Sequence, residues 1–525
     1  MSKVRNILFI MCDQLRADHL SCYGHKTLAT PHIDALAARG TRFDRAYVQA
    51  PVCGPSRMSY YTGRYTLSHG ATWNFVPLPV GERTLGDYLR PAGLRVAVVG
   101  KTHHEADVEG MKWLGLCPNE GIGKLVAAGG FEDCGRDDGI HPDHRTPPDL
   151  PYNQYLRANG FDGANPWHEW ANSGIDENGE VASGWLLRNS RRATRLPEQF
   201  SETAYTTDRA MSFITGQGDK PWCLHLSYIK PHWPYIAPAP YNDMYGPEDC
   251  QVPIRSEAER SGEANPIFRG FQEHSESVSF SKDEVRATVL PAYMGLIKQV
   301  DDHIGRLTAF LEKAGRLEDT LIVFSADHGD YMGDHWQGEK EFMYEQGVRV
   351  PFIIADPSDG AVRGAVCNEL VEAIDLVPTF LDALGQTISA HILEGHSLLP
   401  LLRGSTASVR DAAFSELDYA IYPTARKLGL KTREARMVMA CGKRFKLVHF
   451  GRDFAPQLFD LVNDPHELTD LGRDTGALYA KAREELYQQM FEWMRARRNR
   501  IGMSDEAADR RPSPAAAGGV KIGVW

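Results

Sequence analysis

The sequence predicts an α/β protein: a large mixed, mostly parallel sheet sandwiched by helices, followed by a smaller C-terminal α+β domain. Three observations carry this expectation. Short apolar runs alternate with helical patterns over roughly the first 400 residues, the order that builds a parallel sheet covered by helices. Four of those runs end in carboxylates, imidazoles or amines. After about residue 404 the pattern changes to closely paired strands and one highly charged helix.

Taken in order, Ile7–Cys12 is an apolar run closed by Asp13 and predicts a buried first strand. Thr30-Pro31 opens a helix carrying Ile33, Leu36 and Ala37, and Gly40 closes it; a capping residue, proline at the first helical position and glycine past the end are the expected punctuation. Thr84–Arg90 predicts another helix and Val96–Val99 the strand after it. Residues 117–200 are rich in Gly, Pro, Asp and Asn and carry Trp167, Trp170 and Trp185. They read as a long irregular insertion that roofs a site, its tryptophans mainly core. Cys223–Tyr228 and Leu321–Ser325 are strands separated by an amphipathic helix with Tyr293, Ile297, Val300, Ile304, Leu307 and Leu311 on one face.

Further on, Met437–Cys441 and Phe445–Phe450 flank Gly442-Lys443-Arg444 as a hairpin, Gln457–Leu461 adds a strand, and residues 477–497 are helical. The stretch from about 504, rich in Ala, Gly and Pro, predicts a tail or subunit arm. The expected organisation is a catalytic body over 1–404, an α+β domain with an antiparallel sheet over 405–503 and a tail over 504–525. A homo-oligomer, dimer or tetramer, is expected, with the tail able to swap onto a neighbour.

Composition narrows the function. A net charge of −11 lacks the basic face that nucleic acid or an anionic membrane surface requires, so neither is an expected partner. No run reaches the roughly 18 apolar residues of a membrane span. The six-residue first run is too short for an export signal. The nine cysteines include no CxxC pair, which leaves a zinc ribbon or thioredoxin motif unsupported. Reduced thiols in the cytoplasm are the expectation.

The chemistry collects at four strand ends: Asp13-Gln14, then Gly100-Lys101-Thr102-His103-His104, then Lys230-Pro231-His232, then Asp327-His328-Gly329-Asp330. In open α/β sheets, ligands bind beyond the carboxyl ends of the strands. Asp13, Asp327, His328 and the Gln14 carbonyl are mostly hard oxygen donors, suited to Ca²⁺, Mg²⁺ or Mn²⁺. The richest segment is Pro51-Val52-Cys53-Gly54-Pro55-Ser56-Arg57-Met58-Ser59-Tyr60-Tyr61-Thr62-Gly63-Arg64. Pro55 and Gly63 bracket a short helix, so Cys53 stands just before a helix N-terminus, where free N–H groups favour an anion and lower a thiol pKa. Arg57, one turn on, can reach back.

Cys53-Gly54-Pro55-Ser56-Arg57 with Thr62-Gly63 resembles the type I sulfatase signature, C-x-P-S-R followed by T-G, within the alkaline phosphatase superfamily. Tyr61 stands where that signature usually has Leu. The resemblance extends to Thr30-Pro31-His32-Ile33-Asp34, Gly333-Asp334-His335 with Lys340, Val350-Pro351, and Leu458-Phe459-Asp460-Leu461 through Asp464-Pro465 and Glu467-Leu468. His69-Gly70-Ala71-Thr72-Trp73-Asn74 and Lys446-Leu447-Val448-His449-Phe450 are similar to the phosphonate monoester hydrolase and promiscuous arylsulfatase branch. Lys101 and His103, however, are the ordinary sulfatase arrangement, where that branch tends to carry Tyr and Thr.

The resemblance implies an arylsulfatase-type hydrolase of sulfate monoesters, with phosphonate monoesters and phosphodiesters as side substrates. It implies conversion of Cys53 to formylglycine by a formylglycine-generating enzyme. It also implies one divalent cation, Mn²⁺ or Ca²⁺, on Asp13, Gln14, residue 53, Asp327 and His328. The ester oxygens are expected to meet the cation, Lys101 and Arg57. His232 and Lys340 then stabilise or protonate the leaving oxygen, His103 serves as base and Asn74 contacts substrate. An aldehyde hydrate can expel sulfate by collapsing back to the carbonyl, an escape closed to a simple alcohol. The competing readings are a phosphonate monoester hydrolase or phosphodiesterase on the same residues, and a non-catalytic binding protein with an unmodified thiol.

Overall fold

The computed structural model describes residues 4–139, 150–497 and 502–510. Its main sheet is built from β1 (Asn6–Asp13), β2 (Thr41–Phe43), β3 (Arg95–Gly100), β4 (Glu132–Arg136), β5 (Trp222–Pro231), β6 (Thr320–Ala326), β7 (Phe352–Ala355) and β8 (Ala365–Cys367). The spatial order is β8-β2-β7-β6-β1-β5-β3-β4. β7 runs antiparallel to β6 and β2, and every other pairing is parallel. β1 and β6 are buried along their whole length, as strands covered on both faces must be, which is why they read as unbroken apolar runs.

The helices that matter for the site are α1 (Pro31–Arg39), α2 (Cys53–Thr62), α3 (Glu202–Gln217) and α4 (Asp283–Lys313). Gly40 ends α1 as expected. α4 buries Tyr293, Ile297, Val300, Ile304, Leu307 and Leu311, the stripe its sequence spacing specifies. α2 is buried at all ten positions and closes on Gly63 in the left-handed conformation. Cys53 is its first residue rather than the one before it.

A second, antiparallel sheet follows in the order β9 (Ala413–Asp418), β10 (Arg436–Cys441), β11 (Phe445–Phe450) and β12 (Gln457–Asp460), with α5 (Ala477–Arg495) packed on it. Buried Lys446 on β11 pairs with Glu467 of the same domain, at 2.5 Å, and ties this sheet to the main body through Glu345, at 3.1 Å. The hairpin and the strand at 457 are where the sequence puts them; β9 is additional.

The stretch 117–200 is more regular than expected. It contributes β4 to the edge of the main sheet, helices at Gly121–Ala127 and Pro151–Ala158, and a hairpin of Ser173–Ile175 with Val181–Ser183. Residues 140–149 of it lie outside the described residues. Of the tail, a short helix at Asp505–Asp509 is described, and 511–525 lie outside. All nine cysteines are unpaired. Among the described residues no helix is long and apolar enough to cross a membrane.

Candidate active site

β6, β1, β5 and β3 are consecutive in the sheet, so their C-terminal ends form one rim. β1 ends in Asp13; Asp327 and His328 follow β6; His232 follows β5; Lys101 and His103 follow β3. Gly100 makes the last of these turns possible. It has φ +93°, and a Cβ there would stand 1.9 Å from the Ser227 carbonyl oxygen on β5, so only glycine lets the two strands close. Lys101 N–H then donates to that same oxygen at 3.0 Å.

α2 is laid across this rim by Arg57, which is fully buried. Its Nε donates to Asp327 Oδ2 at 2.8 Å and its Nη2 to Asp13 Oδ2 at 3.2 Å. Its Nη1 donates to the Lys101 carbonyl at 2.7 Å and to Ser227 Oγ at 2.8 Å. Ser56 Oγ donates to the Asp327 carbonyl. This differs from the expectation that Arg57 meets the ester. Its donors are taken by the two carboxylates and the strand ends, and it is not among the residues lining the cavity. Arg57 therefore acts through Asp13 and Asp327.

Cys53 Sγ lies 3.1 Å from His328 Nε2 and 3.8 Å from Asp13 Oδ1. His328 Nδ1 is 2.9 Å from the Gly329 carbonyl. A carbonyl only accepts, so Nδ1 carries a proton and Nε2 is the nitrogen turned toward residue 53, the outer-shell arrangement of metal-ligating histidines. Ligand atoms of Asp13, Cys53, Asp327 and His328 all lie within 4.8 Å of one another, and all four residues are buried. Two buried carboxylates, an imidazole lone pair and residue 53 make a donor set that fits a divalent cation. Gln14, at φ +62°, stands at the edge of this cluster. Its N–H donates to Asp327 Oδ1 at 3.0 Å, while its side-chain oxygen accepts from Lys340 Nζ at 3.0 Å.

The electrostatics follow from this crowding. Burial and Cys53 push the Asp13 carboxyl up, but Lys101, His232 and Arg57 outweigh them and hold it below the ordinary range. Lys101 Nζ is 2.5 Å from Asp13 Oδ2; burial disfavours its charge, Asp13 and Cys53 restore it, and its pKa is raised. Burial opposes a Cys53 thiolate, yet Lys340, Lys101 and His328 drive that thiol well below its usual value. For His328, burial is overcome by Asp327 and Cys53, which raise it to about 9.

His232 moves the other way. Burial lowers it to about 3, with Asp13 opposing and Lys101 and Lys340 assisting. Its Nδ1 donates to the Trp233 carbonyl at 2.8 Å, leaving the Nε2 lone pair 3.4 Å from Lys340 Nζ. Lys340 stays charged: burial opposes it, and Cys53, Glu339 and Asp13 outweigh burial.

The remaining residues line a cavity of about 310 Å³ with Cys53, Lys101 and Lys340 along it. Asn74 lines it too, and its Oδ1 accepts from Gly54 N–H at 2.7 Å, pinning the first turn of α2. His103, at φ +48°, lines it with a buried Nδ1 that has no hydrogen bond among the described residues.

Sequence reasoning missed three contributors. Asp138 accepts from Thr102 N–H at 2.6 Å and His103 N–H at 2.9 Å and so sets the turn carrying His103. Ser227 is the partner of Arg57. The aromatic residues Trp233 and Phe75, with the already noted Trp167 and Trp185, line the same cavity. The lysine-proline-histidine run at the end of β5 does mark Trp233's place; nothing local marks Asp138 or Ser227.

A hydrolase of the alkaline phosphatase superfamily is the class this sheet and rim define. The chain belongs to the sulfatase family: that family's profile matches residues 5–386, and the profile described as N-sulphoglucosamine sulphohydrolase, C-terminal, matches residues 333–496. The chain is similar to a multifunctional alkaline phosphatase superfamily protein of Trinickia caryophylli, PehA, with 30% identity across 93% of this chain and 95% of that one. An arylsulfatase of Clostridium perfringens is 29% identical over 89% of this chain and 90% of its own length. Among solved structures, the phosphonate monoester hydrolase of Silicibacter pomeroyi superposes with a TM-score of 0.82 at 30% identity, covering 96% of this chain and 98% of that one.

Proposed function

We propose that this protein hydrolyses sulfate monoesters of the arylsulfatase type, with residue 53, converted to formylglycine, as nucleophile. Phosphonate monoesters and phosphodiesters are side substrates. The observation that carries the reading is Cys53 on the first turn of α2, within one buried cluster with Asp13, Asp327 and His328, and open to a cavity lined by Lys101 and Lys340. One divalent cation, Mn²⁺ or Ca²⁺, would be held by Asp13, Gln14, Asp327, His328 and residue 53. When bound it supplies Lewis acidity to the ester oxygens and lowers the pKa of the attacking hydroxyl.

The chain's own groups divide the remaining work. Lys101 and Lys340 stabilise charge that grows on the non-bridging oxygens. Lys340, charged beside the free Nε2 of His232, is the proton source for the leaving oxygen, and His232 holds that proton in place. His103, with its unpaired Nδ1, takes the proton whose loss releases sulfate. Asn74 holds the nucleophile's turn and touches substrate. A formylglycine-generating enzyme is then an obligate partner, and nine unpaired thiols favour a reducing, cytoplasmic setting.

Mass spectrometry of the peptide spanning 53–57 from the native host tests the reading: loss of the thiol in favour of the aldehyde is expected, and an intact thiol overturns it. A second reading, phosphonate monoester hydrolysis as the main activity, draws on the likeness to the Silicibacter enzyme. Parallel kinetics on one aryl sulfate and one aryl phosphonate monoester decide between them; a much larger kcat/KM for the phosphonate reverses the order.

A further inference from the structure

Phe75 is at odds with its surroundings. It is 74% exposed, the sort of position apolar rings usually avoid, and it has φ +67°. It is the third residue of the turn Trp73–Val76, closed by Val76 N–H to the Trp73 carbonyl at 3.1 Å. A left-handed residue at that turn position is normally glycine or asparagine, and a bulky side chain there is strained. The turn is held on both sides of the ring. Trp73 packs edge-on against Tyr422 at 4.6 Å, and Asn74 bonds Gly54 at the start of α2. The strained, exposed ring is thus fixed relative to the nucleophile.

The ring lines the candidate active-site cavity. It stands edge-to-face with His103, centroids 6.1 Å apart. His232 has Trp233 against it at 4.3 Å, and Trp233 in turn meets Trp185 at 5.0 Å. His103 and His232 therefore each carry an aromatic neighbour, and both neighbours line the same cavity. Charged groups that also line it are engaged: Arg136 pairs with Asp138 at 2.5 Å, and Lys230 donates to the Pro234 carbonyl at 3.0 Å. A cavity of about 310 Å³ with such walls admits one or two rings rather than a long chain of sugars.

We propose that Phe75 is a specificity-determining residue: with Trp185 and Trp233 it clamps an uncharged aromatic leaving group at the mouth of the site. This rests on the proposed ester hydrolysis, and names the part of the pocket that selects the leaving group. Offset or edge-on ring contacts and the burial of an exposed phenyl surface supply the selectivity.

The test is Phe75→Gly, which removes the ring and suits the backbone, with Phe75→Trp as the conservative partner. Wild type and variants are assayed for turnover of 2-naphthyl sulfate and methyl sulfate, and of the corresponding phosphonate monoesters. Binding of 2-naphthyl and methyl sulfate is measured by calorimetry on the Cys53→Ala background. Phe75→Gly should raise KM, and weaken binding, for the naphthyl ester about tenfold. It should leave methyl esters and kcat within about twofold and keep or raise Tm; Phe75→Trp should retain naphthyl binding. Equal losses on naphthyl and methyl esters, or no loss on either, overturn the clamp. Failure of the wild type to hydrolyse any of these esters overturns the functional reading instead, and the binding arm still decides the clamp.

Discussion

Replacing Arg57 with alanine removes a side chain that joins α2 to four strands of the sheet, at Asp13, Lys101, Ser227 and Asp327. It makes four hydrogen bonds, two of them to the buried carboxylates of Asp13 and Asp327. Taking one partner from a buried ion pair costs about 3–5 kcal/mol, because the charge left behind is stranded. Summing hydrogen bonds to charged groups at roughly 1.5–3 kcal/mol each describes the same loss a second way, so the two are not added. A destabilisation of about 4 kcal/mol is expected, a large share of the roughly 5–15 kcal/mol that folded proteins possess.

A divalent cation between the same carboxylates relieves the same repulsion. The deficit should therefore be larger in chelator than in saturating Mn²⁺, by more than about 1 kcal/mol. It should also depend on pH in a definite direction. The folded Asp13 carboxyl lies below its ordinary value, partly through Arg57. Its contribution is fully present above the unfolded carboxylate range, near pH 4, and is lost as pH falls through the folded value. The gap between wild type and Arg57→Ala should accordingly be widest near neutrality and narrow below about pH 4. Guanidinium unfolding of wild type, Arg57→Ala and Arg57→Lys with and without chelator reads all of this. Lysine, with one compact ammonium, should fall between the other two. A deficit under about 1 kcal/mol, or one indifferent to cation, would refute the role assigned to Arg57.

Cys53→Ala should abolish turnover while leaving Tm within a few degrees; appreciable residual activity on an aryl sulfate would count against residue 53 as nucleophile. Asp327→Asn should weaken Mn²⁺ affinity at least roughly 10–100-fold, measured by metal titration calorimetry, and unchanged affinity would remove Asp327 from the donor set. His232 is neutral in the fold, titrating at about 3, whereas an unfolded imidazole takes its proton near pH 6.5. A lowered folded pKa on a base means stability is lost as pH falls below about 6.5. His232→Asn should flatten that slope between roughly pH 6.5 and 4; a slope matching wild type would show that His232 is not buried neutral.

How much was legible depends on where each signal resides. β1 and β6 are wrapped on both faces, so their sequences are continuous apolar runs and their ends are marked by the first polar residue. β4 reads Glu-Asp-Cys-Gly-Arg, a polar edge strand held by one neighbour, and carries no such mark. β9 buries Ser415 and Glu416; Glu416 is paired by Arg497 and accepts from Leu67 N–H at 3.1 Å, partners far away in the chain. The site shows the same division. Residue types at strand ends and the helix start at Cys53 were legible because a local pattern encodes them. That Arg57 faces carboxylates rather than the cavity was not, because it depends on Asp13, Lys101, Ser227 and Asp327 converging from four strands.

The same convergence bears on how the proposed hydrolysis would treat sulfate and phosphonate esters. Arg57, Lys101 and Lys340 bring three buried positive charges against the two of Asp13 and Asp327. With a divalent cation added, the site is strongly positive inside a protein of net charge −11, and it attracts a small anion. A sulfate monoester and a phosphonate monoester each bring one negative charge and a tetrahedral centre, so this field cannot tell them apart in the ground state. What differs is the third substituent: an oxygen in the sulfate, a carbon group in the phosphonate. Discrimination must then come from the space and hydrogen bonding around that substituent, next to Lys101 and His103, and from the leaving group against the aromatic wall. If so, shortening Lys101 should shift the ratio of phosphonate to sulfate kcat/KM, whereas removing the Phe75 ring should lower both naphthyl esters together and leave that ratio unchanged. A ratio that follows Phe75 instead would mean that the leaving-group pocket, and not the cationic floor, sets which ester the enzyme prefers.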